Sequence, residues 1–248
     1  MTRRSFLAAL PFTAIAQSTR PLGGGATACL DAVEARILEL VDRERKNRGL
    51  APLRLDETLR GIARNHDDDM LARGFFSHVN PSGEDPGARV ARQDRRLIGV
   101  VGENIWESSG AYASQHTDLA AEIMKGWMNS EGHRENILRK EFTHIGAGVC
   151  AAGREIRATQ EFANVQALLI RPLPAVVRSG SPVDLSTSGK APDLFDIWSK
   201  RSERAVAQPA PMFGAKIVGP PGFYVVRFYF GNGPTHFTIY EGPGVEIR

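Results

Sequence analysis

Cysteine is scarce in this chain. Two residues in 248 rule out a fold stapled by several disulfides. Long apolar runs are missing too: nothing after residue 16 approaches the ~20 residues a helix needs to cross a bilayer, so no transmembrane segment is expected. No long block of one charge sign occurs, and the formal net charge is only +3. Arg3 and Arg4 supply two of those three charges from a stretch read below as a leader, leaving +1 without it. So small a charge gives no general electrostatic case for nucleic acid or anionic membranes, and no nucleic-acid partner is expected. No Gly-x-Ser-x-Gly elbow is present, and Gly23-Gly24-Gly25 lacks the Lys-Ser/Thr ending of a phosphate-cradling loop. Disorder is also unsupported, because 42% of the residues are apolar and the aromatics are spread throughout.

What is present begins with an export signal. Arg3-Arg4-Ser5-Phe6-Leu7 is a twin-arginine pattern, and an apolar stretch from Phe6 to Ala16 follows it. Ala14-Ile15-Ala16 supplies the small-x-small ending that signal peptidase accepts, so residues 1–16 read as a twin-arginine signal peptide. The mature chain is expected in the periplasm or outside the cell. In that oxidising space Cys29 and Cys150 either form one disulfide or remain two buried thiols, and their spacing does not decide between the two.

Along the mature chain, Leu30, Val33, Ile37, Leu40 and Val41 recur at helical period behind Asp31, with Glu34 placed as the second half of a capping box. A second helix is predicted from near Asp56 to Gly74, with Leu59, Ile62, Ala63, His66 and Met70 on one face. On that face His66 reads as a satisfied core histidine. The run Asp67-Asp68-Asp69 reads as solvated, since successive helical carboxylates fan out over different faces. Residues 75–112 hold no sustained period and read mostly as loop. Thr117 or Asp118 opens a third helix running to about Met128, Gly132 breaks it, and a short helix follows from about His133 to Leu138. Strand-like segments around His144–Cys150 and Glu155–Leu169 meet at a turn. Composition shifts after Arg171: ten of the fifteen prolines lie in residues 172–248. There Phe223–Phe230 and Thr235–Tyr240 flank Gly231-Asn232-Gly233-Pro234 as a hairpin, with a helical turn expected near Leu194–Lys200.

Four residues carry chemistry: His78, Glu103, Glu122 and His133. Singly, each has an ordinary reading, as a solvated loop imidazole, a turn cap, a surface acid and a first-turn helix residue. Their neighbours alter the weight. Phe76-Ser77-His78, Gly102-Glu103-Asn104-Ile105, Glu122 five residues before Trp127, Gly132-His133-Arg134-Glu135-Asn136-Ile137 and Phe142-Thr143-His144-Ile145-Gly146-Ala147-Gly148 follow in order. Over residues 31–170 these blocks resemble the CAP superfamily, the group of cysteine-rich secretory proteins, antigen 5 and plant PR-1 proteins, here in a bacterial-type secreted form.

The resemblance implies a three-layer α-β-α sandwich over residues 30–171; with the proline-rich, hairpin-bearing residues 172–248 read as a small antiparallel β-rich unit, or alternatively as an extension wrapping the first domain, the whole chain is expected to be α+β. It also implies that His78, Glu103, Glu122 and His133 meet in one cleft. Imidazole is the commonest ligand for Zn2+ and similar ions, so His78 and His133 are the candidate metal ligands for a weakly bound divalent cation. Glu103 and Glu122 are the candidates to orient those rings, or to act as base were the site catalytic. The resemblance favours a module that binds a lipid, a sterol or a cell-envelope component over an enzyme. A weak metal-dependent hydrolase and a purely structural hydrogen-bond network are the alternatives. Two departures stand out. The disulfide-rich extension of animal members is absent, and Ala158 in Ala158-Thr159-Gln160-Glu161-Phe162 replaces a bulky aromatic, which is expected to open or reshape that edge of the cleft.

Overall fold

The computed structural model describes residues 27–109, 118–233 and 236–248. The leader assigned to residues 1–16, Thr117 and the hairpin residues Pro234 and Thr235 lie outside them. After the two-residue strand β1 (Ala28–Cys29) comes α1 (Asp31–Lys46). It buries Ile37, Leu40 and Val41, the stripe that the period predicts. Its Glu34 does not close a capping box. The side chain is buried, and Oε1 accepts the backbone N–H of Val149 at 3.1 Å while Arg60 and Arg64 bind the carboxylate. A carboxylate aimed at a neighbouring strand cannot also turn back on its own helix. Arg45 is buried at the other end, donating to the carbonyls of Ala51, Ile137 and Arg139. It thereby satisfies carbonyls left over at the end of a helix described below.

After β2 (Arg54–Leu55), α2 (Glu57–Arg73) starts where Asp56 accepts the N–H groups of Thr58 and Leu59. It ends at Gly74 in the left-handed conformation. The supposed loop of residues 75–112 contains two elements instead. α3 (Pro86–Gln93) is capped by Asp85 with Pro86 in its first turn, and β3 (Leu97–Ser108) is a twelve-residue strand. Periodicity missed β3 because its residues are buried on both faces and Gly99 and Gly102 interrupt the pattern. α4 (Leu119–Asn129) is capped by Asp118 and α5 (Glu131–Leu138) follows. β4 (His144–Ala152) and β5 (Glu155–Leu169) then pair antiparallel, with β3 on the other side of β5.

These pieces form three layers. Ala147, Val149, Ala158 and Phe162 face α1, α4 and α5, packing with Trp127 and Ile123. On the opposite face α2 lies so close to β4 that a Cβ at Gly146 or Gly148 would collide with the helix backbone at Arg60 or Arg64. Glycine is required there because two main chains touch. Cys29 and Cys150, register partners of β1 and β4, are joined by a disulfide.

The C-terminal residues are strand-rich. They comprise β6 (Val176–Val177), β7 (Thr187–Gly189), β8 (Leu194–Ser199), β9 (Arg204–Ala205), β10 (Ala210–Pro211), β11 (Gly222–Gly231) and β12 (Phe237–Ile247). β8 occupies the place where a helical turn was expected. Phe195 and Ile197 are buried in it and pair beside β11, because aromatic and β-branched residues suit a half-buried strand. One sheet runs β1-β4-β5-β3-β12-β11-β8-β10, and β12 touches β3 at a single register position, Glu241 opposite Gly99. A second apolar cluster, including Phe228, Phe230 and Val245, also takes in Ile98, Ala167 and Leu169 from β3 and β5.

Candidate functional site

His78 lies on the segment between α2 and α3, and its Nδ1 is 2.6 Å from Oε1 of Glu103 on β3. The hydrogen bond fixes the ring's orientation and leaves Nε2 to face elsewhere. Arg89 of α3 ties the loop down from below. One of its nitrogens donates to the carbonyl of His78 at 2.8 Å, and the other pairs with Oε2 of Glu103. Burial opposes ionisation of Glu103, yet the hydrogen bond to His78 and the Arg89 charge outweigh it and hold its carboxyl below the usual range.

His133 stands in the first turn of α5, half-buried, where Asn104 donates to its carbonyl at 3.0 Å. Burial first, and the positive charge of a protonated His78 second, hold the His133 pKa below the ordinary histidine value. Glu122 is half-buried in the first turn of α4. Of the four expected side chains, His78 and Glu103 are in direct contact and His133 is electrostatically coupled to His78. Among the described residues no group of three or more His, Cys, Asp or Glu side chains is placed to hold a metal ion.

Beneath the cleft lies a polar cluster that sequence reasoning did not assemble. His66 of α2 donates from Nε2 to the Ser77 carbonyl at 3.1 Å and lies 3.8 Å from Glu103. Its pKa is pushed down to about 4, chiefly by burial, so the ring is neutral at pH 7. A ring nitrogen without a protein partner, Nδ1, makes it less satisfied than the core-histidine reading assumes. Asp67 is buried and accepts a 2.6 Å hydrogen bond from Thr159, so the solvated reading fails for the first of the three aspartates. The helical spacing 59, 62, 63, 66, 67, 70 already places position 67 on the buried stripe; only its charge argued against it. Glu161 faces Glu103 across the β3–β5 pair, and Arg89 lies 3.8 Å from it. Burial and the Glu103 charge push the Glu161 and Asp67 carboxyls well above their ordinary range, burial being the larger cause in both. Both surroundings disfavour the charged carboxylate.

One further expectation is narrowed. Ala158 reshapes the edge and does not open it: it is fully buried, and Trp106 sits opposite it in the cross-strand register. The aromatic missing from one strand is supplied by the next. Cys150 is held in the disulfide, and His144 Nδ1 is bonded to the Thr143 hydroxyl at 2.8 Å.

Comparison with known proteins follows the same residues. The family model described as "Cysteine-rich secretory protein family" (CAP) matches residues 38–162. The uncharacterized protein YkwD of Bacillus subtilis (strain 168) is 35% identical over 128 residues, which is 52% of this chain and 46% of that protein. The uncharacterized membrane protein YlbC of the same organism is 36% identical over 121 residues, 47% of this chain and 31% of that protein. The matched part therefore spans less than half the length of either relative. Among solved structures, an extracellular protein containing an SCP domain from Bacillus anthracis str. Ames shares 31% identity at a TM-score of 0.45, covering 54% of this chain and 40% of that one. A cysteine-rich secretory protein from Staphylococcus aureus subsp. aureus Mu50 shares 19% at a TM-score of 0.43, covering 54% and 38%.

Proposed function

The chain belongs to the CAP, or cysteine-rich secretory protein, family, and from that premise we propose that it is an exported binding module rather than an enzyme. In this reading it acts in the periplasm or outside the cell, its ligand is a lipid, a sterol or another apolar or cell-envelope component, and residues 172–248 form an accessory unit. No described helix is long and apolar enough to cross a membrane, in keeping with an exported chain.

The observation that carries the reading is the state of Glu103. A catalytic base must be free to take a proton, but Glu103 is bonded to both His78 and Arg89, with its pKa lowered. Its arrangement suits holding an imidazole in place. The donor set fits a weak divalent site: His78 is oriented by Glu103, and His133 is kept neutral by burial, which is the form that ligates. His78 and His133 would hold the ion, and Glu103 would orient His78. A bound cation such as Zn2+ would supply a positive charge at the cleft mouth. With two imidazoles instead of the usual three or four protein ligands, affinity should be low. The hydrolase reading rests on Glu122 as base, since Glu103 is committed.

Calorimetric titration of Zn2+ into the intact protein and into a His78→Ala/His133→Ala variant tests this. Binding heat in the first that is lost in the second is expected; equal heats in both would remove the metal site. Solvent extraction of the purified protein followed by mass spectrometry is expected to release an apolar ligand. Metal-dependent ester or peptide hydrolysis abolished by Glu122→Gln would overturn the binding reading in favour of the enzyme.

A further inference from the structure

One edge of β3 is only partly covered. At one end its outward carbonyls are occupied by side chains from the helices: Asn136 donates to Glu103 at 3.1 Å and Trp127 to Ile105 at 3.1 Å. At the other end β12 meets it once, at Gly99. Val101 lies between. Its partner across the ladder, Ala163, accepts the Thr143 N–H at 2.9 Å on the β4 side. In an antiparallel pair, residues that are not bonded to each other turn their polar groups outward on both sides. The N–H and C=O of Val101 therefore point into the gap between β3 and β12, and among the described residues no strand pairs with them there. Beside this gap the β3–β5 register shifts between Ile98 and Gly99, and a Cβ at Gly99 would collide with the Asn164 carbonyl.

A crevice of about 410 Å³ opens at this seam. Val90 and Ala91 of α3, with Leu97, Val100 and Val101 of β3, give it apolar walls, and Gly87, Gly102 and Gly242 also line it. Its rim carries Lys200, whose Nζ is 3.1 Å from Asp85 and 3.2 Å from Glu241. Two carboxylates against one ammonium leave the rim net negative. The volume falls near the lower end of the range for small-molecule sites, roughly 300–1,000 Å³.

We propose that this seam binds a short extended peptide. The peptide adds to the β3 edge at Val101, places an apolar side chain in the crevice and sets a basic side chain against Asp85 and Glu241. Main-chain hydrogen bonds to an exposed strand supply affinity in such an addition, and alternate side chains supply selectivity. An unpaired strand edge offers a peptide what it cannot offer a hydrocarbon chain, which favours a peptide over a lipid here. The seam is separate from the His78 and His133 cleft and does not depend on a metal there.

The test uses the intact protein and three probes: acetyl-Val-Lys-Val-amide, its Glu counterpart, and the Lys peptide methylated on its central nitrogen. Binding is followed by calorimetry and by the amide signal of Val101 in 15N-edited NMR. The Lys peptide should shift the Val101 signal and bind about tenfold tighter than either control. Glu241→Gln, at a half-exposed position, should weaken the Lys peptide about three- to fivefold without altering the thermal midpoint. His78→Ala/His133→Ala should leave peptide affinity within about twofold, so failure of the metal reading and failure of this one are separable. An unmoved Val101 signal at millimolar peptide would overturn the proposal. So would equal binding of all three probes, or decylammonium shifting Val101 more strongly than the peptide, which would make the seam a site for an amphiphilic amine.

Discussion

The two parts of the molecule bury different things. Between residues 31 and 170 the interior holds Glu34, Arg45, His66, Asp67, Arg89, Glu103 and Glu161. In residues 172–248 the one fully buried charged residue among those described is Asp196. Asp196 is also well matched. Arg227 pairs with it, donating from Nε at 2.8 Å, and the Tyr229 hydroxyl donates at 2.6 Å. Burial and the contact with Asp196 push the Tyr229 pKa up to about 12, so the phenol remains a donor. The first region instead sets two carboxyls, Glu103 and Glu161, against the one guanidinium of Arg89 and leaves Nε of Arg89 and Oδ2 of Asp67 without protein partners. A matched buried ion pair is what structure alone requires. A mismatched buried cluster gives up stability, which is the pattern expected beneath a functional site.

Removing one region is the largest challenge to the comparison. We place the boundary at Arg171–Ala175, and a chain ending at Arg171 should still fold and keep its Zn2+ response. It should also lose about 4 kcal/mol, because Ile98 and Leu169 are fully buried in the C-terminal cluster and each is worth about 1.5–3 kcal/mol. Thermal unfolding reads this loss, and aggregation of the shortened chain would mean that the two regions are one folding unit.

Single charges sharpen the contrast. Arg227→Met should cost about 3 kcal/mol, since it strands Asp196 in the interior and removes the guanidinium stacked on Trp198. Glu161→Gln should be neutral or stabilising, because burial and the Glu103 charge already disfavour the ionised carboxylate that the amide replaces. Urea midpoints distinguish the two, and equal losses would erase the difference drawn between matched and mismatched charge.

The smallest effect is a pH slope. The folded His66 pKa of about 4 lies below the ordinary value of 6.5, so between those limits the unfolded chain binds a proton that the folded one does not. Stability from this residue is complete above pH 6.5 and is lost as pH falls towards 4. The loss is about 1.4 kcal/mol per unit, or about 2 kcal/mol between pH 7 and pH 5. His66→Gln should flatten that part of the curve. An unchanged slope would mean that His66 is charged in the folded protein.

The sequence by itself determined the elements with an unambiguous local signal. The apolar stripes of α1 and α2, the Asp56 and Asp118 caps, the Gly74 stop and the hairpin of β11 and β12 are set by spacing and by residues within a few positions of one another. The blocks around His78, Glu103, Glu122 and His133 were also legible, because each is a short continuous string. Only the tertiary structure decided that Glu34 leaves its own helix for Val149, that Trp106 fills the space beside Ala158, and that β3 is a strand at all. It alone brought Glu161 to Glu103 and Arg89 beneath both, across separations of 58 and 14 residues along the chain from Glu103. The reason is one of range. Helix caps and periodic stripes are energies between near neighbours in sequence, whereas the state of a buried carboxyl depends on which distant charges the packed layers bring within a few ångströms.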